Sequence, residues 1–87
     1  MRSLLRFFSR PRKEPCLQRT EVLALASAAV EDEEWEWREP TDVSWVERAS
    51  GAIEWTVRSN SHSMGSNIVV KVSDETGEVL SKHYLPR

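Results

Sequence analysis

The sequence predicts an α+β domain: one N-terminal helix packed on a four- to five-stranded antiparallel sheet. Three observations carry this reading. Ile53, Trp55 and Val57 alternate with Glu54, Thr56 and Arg58, and Ile68, Val70 and Val72 alternate with Asn67, Val69 and Lys71. That period of two is the mark of strands covered on one face. Upstream, residues 20–35 contain no Gly or Pro and carry apolar residues at helical spacing. Between the apolar runs stand turn-forming stretches at 48–51, 59–66 and 74–77.

The chain begins with a basic segment. On a helical wheel, Leu4, Leu5, Phe7 and Phe8 fall within an arc of roughly 160°, and Arg2, Arg6 and Arg10 fall opposite. Such a segment suits an anionic membrane surface or a groove on a partner. Arg6 splits the apolar residues and no small-residue cleavage site follows promptly, so a signal peptide is not expected. Pro11 ends the pattern and Pro15 keeps the chain extended. The expected organisation is a basic, flexible tail over 1–16 and a single domain over 17–87.

Thr20 is the expected N-cap of the helix, with Glu21 suited to its first turn. Val22, Leu25 and Ala29 form one stripe, with Leu23, Ala26 and Val30 beside it, and the helix is expected over 21–33. The run Glu31, Asp32, Glu33 and Glu34 opposes the helix dipole, so the helix should fray there. The run lacks the alternating acids and central Gly of a calcium loop. Trp35 and Trp37 share a face if 35–38 is a strand, and Pro40 ends it. Thr41 and Asp42 turn the chain, and residues 43–47 are expected to form a strand with Val43 and Trp45 on one face. The last three strands follow at 53–57, 67–72 and 78–84. In the last of these Val79 and Leu80 fall on opposite faces, which breaks the alternation.

Size and charge narrow the function. A chain of 87 residues forms one domain and buries only about 60–65% of the surface it exposes when unfolded. The core is small, which favours binding over catalysis. Residues 1–13 carry five cations and no acid; with an overall net charge of −2, the other 74 residues carry −7. An acidic body is a poor match for phosphate backbones, so no nucleic-acid partner is expected. The single cysteine, Cys16, excludes an intrachain disulfide and fits a reducing, cytoplasmic setting. No run approaches the roughly 20 apolar residues of a membrane span.

No catalytic set emerges. His62 and His83 with a distant Cys16 do not make a metal site or a Cys–His pair. Ser59, Ser61, Ser63 and Ser66 surround His62, but no nucleophile elbow or phosphate loop is present. A small hydrolase using His62 is the weakest reading. No catalytic residue, metal or cofactor is expected. The four tryptophans are more informative. Trp55 and Trp45 are expected in the core, whereas Trp35 and Trp37 flank acidic residues and are candidates for contact with a basic or amphipathic partner. The loop 59–66 is longer than a tight hairpin needs and supplies Asn60, His62 and Met64 as further candidate binding residues.

Several features together resemble small bacterial α+β domains of the PepSY-like and NTF2-like immunity kind. These are the Ala-rich helix 22–30, Trp37 and Pro40, residues 55–57 and 65–72, the turn 75–77, Val79 and the closing 85–87. The sequence departs from that pattern at Ser66, where a second Gly is common, and at Ser73, where an Asp is common. The resemblance implies an inhibitor, immunity protein or regulatory binding module, and it transfers no site residue. The expected function is therefore a small non-enzymatic module that binds a protein partner. The alternative is a peripheral membrane protein that touches lipid through Leu4, Leu5, Arg6, Phe7 and Phe8.

Overall fold

The computed structural model describes residues 14–86. Residues 1–13 of the expected basic tail lie outside that range. One helix, α1 (Arg19–Ala29), precedes four strands: β1 (Asp42–Glu47), β2 (Ile53–Arg58), β3 (Asn67–Ser73) and β4 (Val79–Leu85). The strands form an antiparallel meander in the order β1-β2-β3-β4. The expected α+β architecture is present, with a four-stranded sheet. Direct connections, the longest of them the loop 59–66, hold consecutive strands side by side, which antiparallel pairing allows.

Register places the alternating apolar residues on one face. Val43 pairs with Val57, Trp45 with Trp55, Trp55 with Val72, and Val57 with Val70. The core is this face plus one line of the helix: Val22, Ala26 and Val30 against Val43, Ile53, Trp55, Val57, Ile68, Val70 and Val72. Trp45 packs half-buried at its margin. The opposite face carries Glu54, which is paired with Arg48 at 3.7 Å and with Lys71 at 3.8 Å. Surface pairs of this length contribute little. The asymmetry of the sheet therefore comes from its apolar face.

Three details of the chain path differ from the sequence expectation. The helix starts earlier, with Gln18 rather than Thr20 as N-cap, and the Glu21 carboxylate accepts the Gln18 N–H at 2.9 Å. An acid three residues into the helix satisfies an otherwise orphaned amide and faces the positive end of the dipole. The helix also ends earlier, at Ala29 rather than Glu33. Its buried line is Val22, Ala26 and Val30, spaced by four, and the acidic run continues in turns. Lastly, residues 35–38 do not form a strand. They carry the chain from the helix towards β1, and Trp35 and Trp37 pack half-buried against the core margin.

Strand β4 shows why its alternation breaks. Lys71 pairs with Ser81 but Val72 pairs with Val79, so Leu80 is an extra residue at a β-bulge. The bulge turns Val79 towards the core and leaves Leu80 half exposed. It also sets Lys82 on the helix side, opposite Val70. Its Nζ donates to the Ala29 carbonyl at 2.8 Å and pairs with Glu33 at 2.9 Å and Asp32 at 3.6 Å. One cation from β4 thus answers both the helix C-terminus and the acids that oppose its dipole. The hydrogen bond to Glu33 raises the Lys82 pKa, burial opposes this, and the Asp32 charge adds to the rise.

Candidate functional site

The loop 59–66 is built around one side chain from the next strand. Asn67 is fully buried at the start of β3. Its Nδ2 donates to the carbonyls of Ser59 at 2.9 Å, Asn60 at 2.8 Å and Ser63 at 3.3 Å. Its Oδ1 accepts the Gly65 N–H at 2.8 Å and lies 3.4 Å from Arg58 Nη2. A single carboxamide thus supplies donors and acceptor to both limbs of the loop. Ser59, also buried, accepts the Ile68 N–H on its hydroxyl at 2.9 Å.

The backbone bends where the sequence permits it. Gly65 has φ 108°, Asn60 φ 51° and Ser66 φ 56°. Gly and Asn tolerate the left-handed region, whereas Ser adopts it at a cost. Asn60 Nδ2 donates to the Gly65 carbonyl at 3.2 Å, which closes the loop across its base. The loop is also tied to the segment before β1. Asn60 N–H donates to the Arg38 carbonyl at 2.7 Å, and Ser61 N–H donates to the Pro40 carbonyl at 3.0 Å.

These bonds bring the sequence-predicted residues to one end of the sheet. Trp35 stacks on Tyr84 with ring centroids 5.9 Å apart and planes at 18°, an offset arrangement favourable to aromatic rings. Tyr84 pairs with Ile68, two residues beyond the loop. Trp37 precedes Arg38, whose carbonyl holds the loop. Asn60 is half-buried and spends its amide within the loop. His62 is exposed, and Met64 is 93% exposed. Leu4, Leu5, Arg6, Phe7 and Phe8 lie outside the described residues.

Sequence reasoning missed Asn67 as the brace of this loop. Its position alternates with apolar residues, as a solvent-facing strand residue would, and no local pattern distinguishes the two. Asp74 escapes the sequence in the same way. This carboxylate, only 3% exposed, stands at the opposite end of the sheet, in the β3–β4 turn. It accepts the Cys16 N–H at 2.7 Å, the Leu17 N–H at 2.9 Å and the Trp55 indole N–H at 2.9 Å. Burial pushes its pKa up. The Cys16 amide, the Trp55 indole, the Leu17 amide and the Cys16 side chain outweigh burial, so the pKa lies below the ordinary carboxylate value.

Among the described residues, no group of three or more His, Cys, Asp or Glu is placed to hold a metal ion. No helix there is long and apolar enough to cross a membrane. No protein-family model, curated protein or solved structure matches the chain.

Proposed function

We propose that this chain is a small non-enzymatic protein-binding module that recognises its partner through the loop 59–66. The observation that supports this most directly is Met64: a large apolar side chain 93% exposed on a loop whose backbone is held by a buried asparagine. A braced loop loses little conformational freedom on binding, so its contacts are not offset by ordering. Methionine adapts its shape to an apolar pocket. His62 adds a hydrogen-bonding group beside it, and the Trp35–Tyr84 pair extends the surface along the same end of the sheet. Such a module is inhibitory, immunity-like or regulatory in kind, as its resemblance to PepSY-like and NTF2-like immunity domains implies, and its single cysteine fits a cytoplasmic setting.

Affinity capture from native lysate tests this with the wild type and a His62→Ala/Met64→Ser double variant. Recovery of one protein at near-equal stoichiometry by the wild type alone supports the proposal. Equal recovery by both moves binding away from the loop. A second reading rests on the opposed Arg and apolar arcs of residues 2–10. It makes the chain a peripheral membrane protein, and co-sedimentation with anionic vesicles decides it.

A further inference from the structure

We propose that Asp74 is a latch. Its carboxylate holds residues 14–17 against the sheet as a strap that opens without unfolding the rest of the domain. The anchor of each bond points to this. Two amides of the strap, Cys16 N–H and Leu17 N–H, both end on the Asp74 carboxylate, on Oδ2 and Oδ1 respectively. The elements around the latch are held by other atoms. The Asp74 backbone N–H donates to the Ile53 carbonyl at 3.1 Å. The turn is closed by Ser73 N–H to the Glu78 carbonyl at 2.8 Å and by Gly77 N–H to the Ser73 carbonyl at 2.8 Å. The first turn of α1 is held by Val22 N–H to the Gln18 carbonyl at 3.0 Å and by the Glu21 carboxylate on Gln18. Breaking the two strap bonds therefore frees the strap, while the Trp55 indole N–H keeps Oδ1 at 2.9 Å and the β3–β4 turn, the sheet and the helix start keep their own backbone bonds.

The apolar contribution agrees. Leu17 packs half-buried against the core, while Glu14 and Cys16 are exposed. Few buried contacts and one shared polar anchor are the features of a segment that opens locally. The latch has a consequence for the two ends of the molecule. It sits beside the β3–β4 turn, at the end of the sheet away from loop 59–66, and the strap leads directly to the basic residues 1–13. A partner gripping that basic segment would thus load the latch first and leave the loop surface intact.

Native-state amide exchange of the wild-type chain at low urea is the test. The latch predicts that Cys16 and Leu17 amides exchange through an opening with almost no urea dependence. Amides of Val57 and Val70 should require the full urea dependence of global unfolding. A shared, steep urea dependence for all four overturns the proposal. Asp74→Asn gives a second readout. The amide keeps Oδ1 for Leu17 and Trp55 but turns a donor towards the Cys16 N–H. The expected result is a Cys16 amide within about threefold of an unprotected peptide, with Val57 and Val70 still protected by more than about 100-fold. Protection of Cys16 equal to that in the wild type, or its loss together with the core amides, refutes the latch.

Discussion

Replacing Asn67 by Asp tests whether one carboxamide builds the loop. The change is nearly isosteric, so packing is preserved and chemistry alone differs. In the native chain Nδ2 donates two bonds shorter than 3.0 Å, to Ser59 and Asn60, and a longer one to Ser63. Aspartate turns an acceptor towards these carbonyls. Two lost bonds at about 1 kcal/mol each, plus the repulsion of a buried charge facing carbonyl oxygens, give about 3–5 kcal/mol. Against a typical domain stability of about 5–15 kcal/mol this is a large fraction. At about 4–8 °C per kcal/mol for a domain of this size, Tm should fall by at least about 12 °C. Urea titration followed by tryptophan fluorescence measures the loss directly. The pH dependence carries a sign. The carboxyl introduced by Asn67→Asp is buried, so its folded pKa is raised above the unfolded value and its protonated form is the one the fold tolerates. Stability of the variant relative to the wild type should therefore fall as pH rises above the unfolded carboxyl value of about 3.9. If Asn67→Asp lies within about 1 kcal/mol of the wild type, the loop is not held by this side chain and its surface is not preorganised.

Four further outcomes follow from the same geometry. Asp74 has a lowered pKa, so its contribution is complete above the unfolded value near 3.8 and is lost as pH falls through the lower folded value. Acid titration of wild type and Asp74→Asn should show a stability difference that begins to narrow near 3.8 and keeps narrowing as pH falls through the lower folded value, and a gap unchanged by acid would contradict it. Lys82 has a raised pKa, so its contribution is present below 10.5 and lost as pH rises through the raised value. Lys82→Met should destabilise the chain at neutral pH by an amount that shrinks with added salt, because the Lys82 side chain is partly exposed. Trp35→Ala should cost at least about 1 kcal/mol through the lost stack on Tyr84, read by thermal melting. Ser66→Gly relieves a left-handed residue at φ 56° and should raise stability in urea titration by up to about 1 kcal/mol, a gain reduced by the added freedom of the unfolded chain.

Much of the architecture is legible in the order of residues. The alternation at 53–57 and 67–72 places β2 and β3, and the same period finds the buried faces that the register pairs. A two-residue period needs no partner to be recognised, because burial on one face imposes it strand by strand. The Gly- and Asn-bearing turns at 51, 60, 65 and 77 likewise stand in the sequence, since only a few residue types accept positive φ without strain. Residues 35–38 are ambiguous for a physical reason: two tryptophans separated by one residue fit a strand and an extended crossing equally well.

The residues that fix the candidate surface are legible only in part. His62 and Met64 can be picked out because they sit in a long polar loop. Asn67, Asp74 and Lys82 cannot: Asn67 occupies a position that reads as a solvent-facing strand residue, and Asp74 and Lys82 act on atoms far along the chain. Asp74 meets Cys16 across 58 positions and Lys82 meets Ala29 across 53. The β-bulge at Leu80 decides which way Lys82 points, and that bulge exists only in the pairing of β3 with β4. By itself the sequence determined the presence of one helix and the faces that β2 and β3 bury, since these follow from local periodicity and turn chemistry. Tertiary structure alone decided which polar side chains brace the loop, anchor the strap and cap the helix, because a buried polar group is defined by the partner that satisfies it.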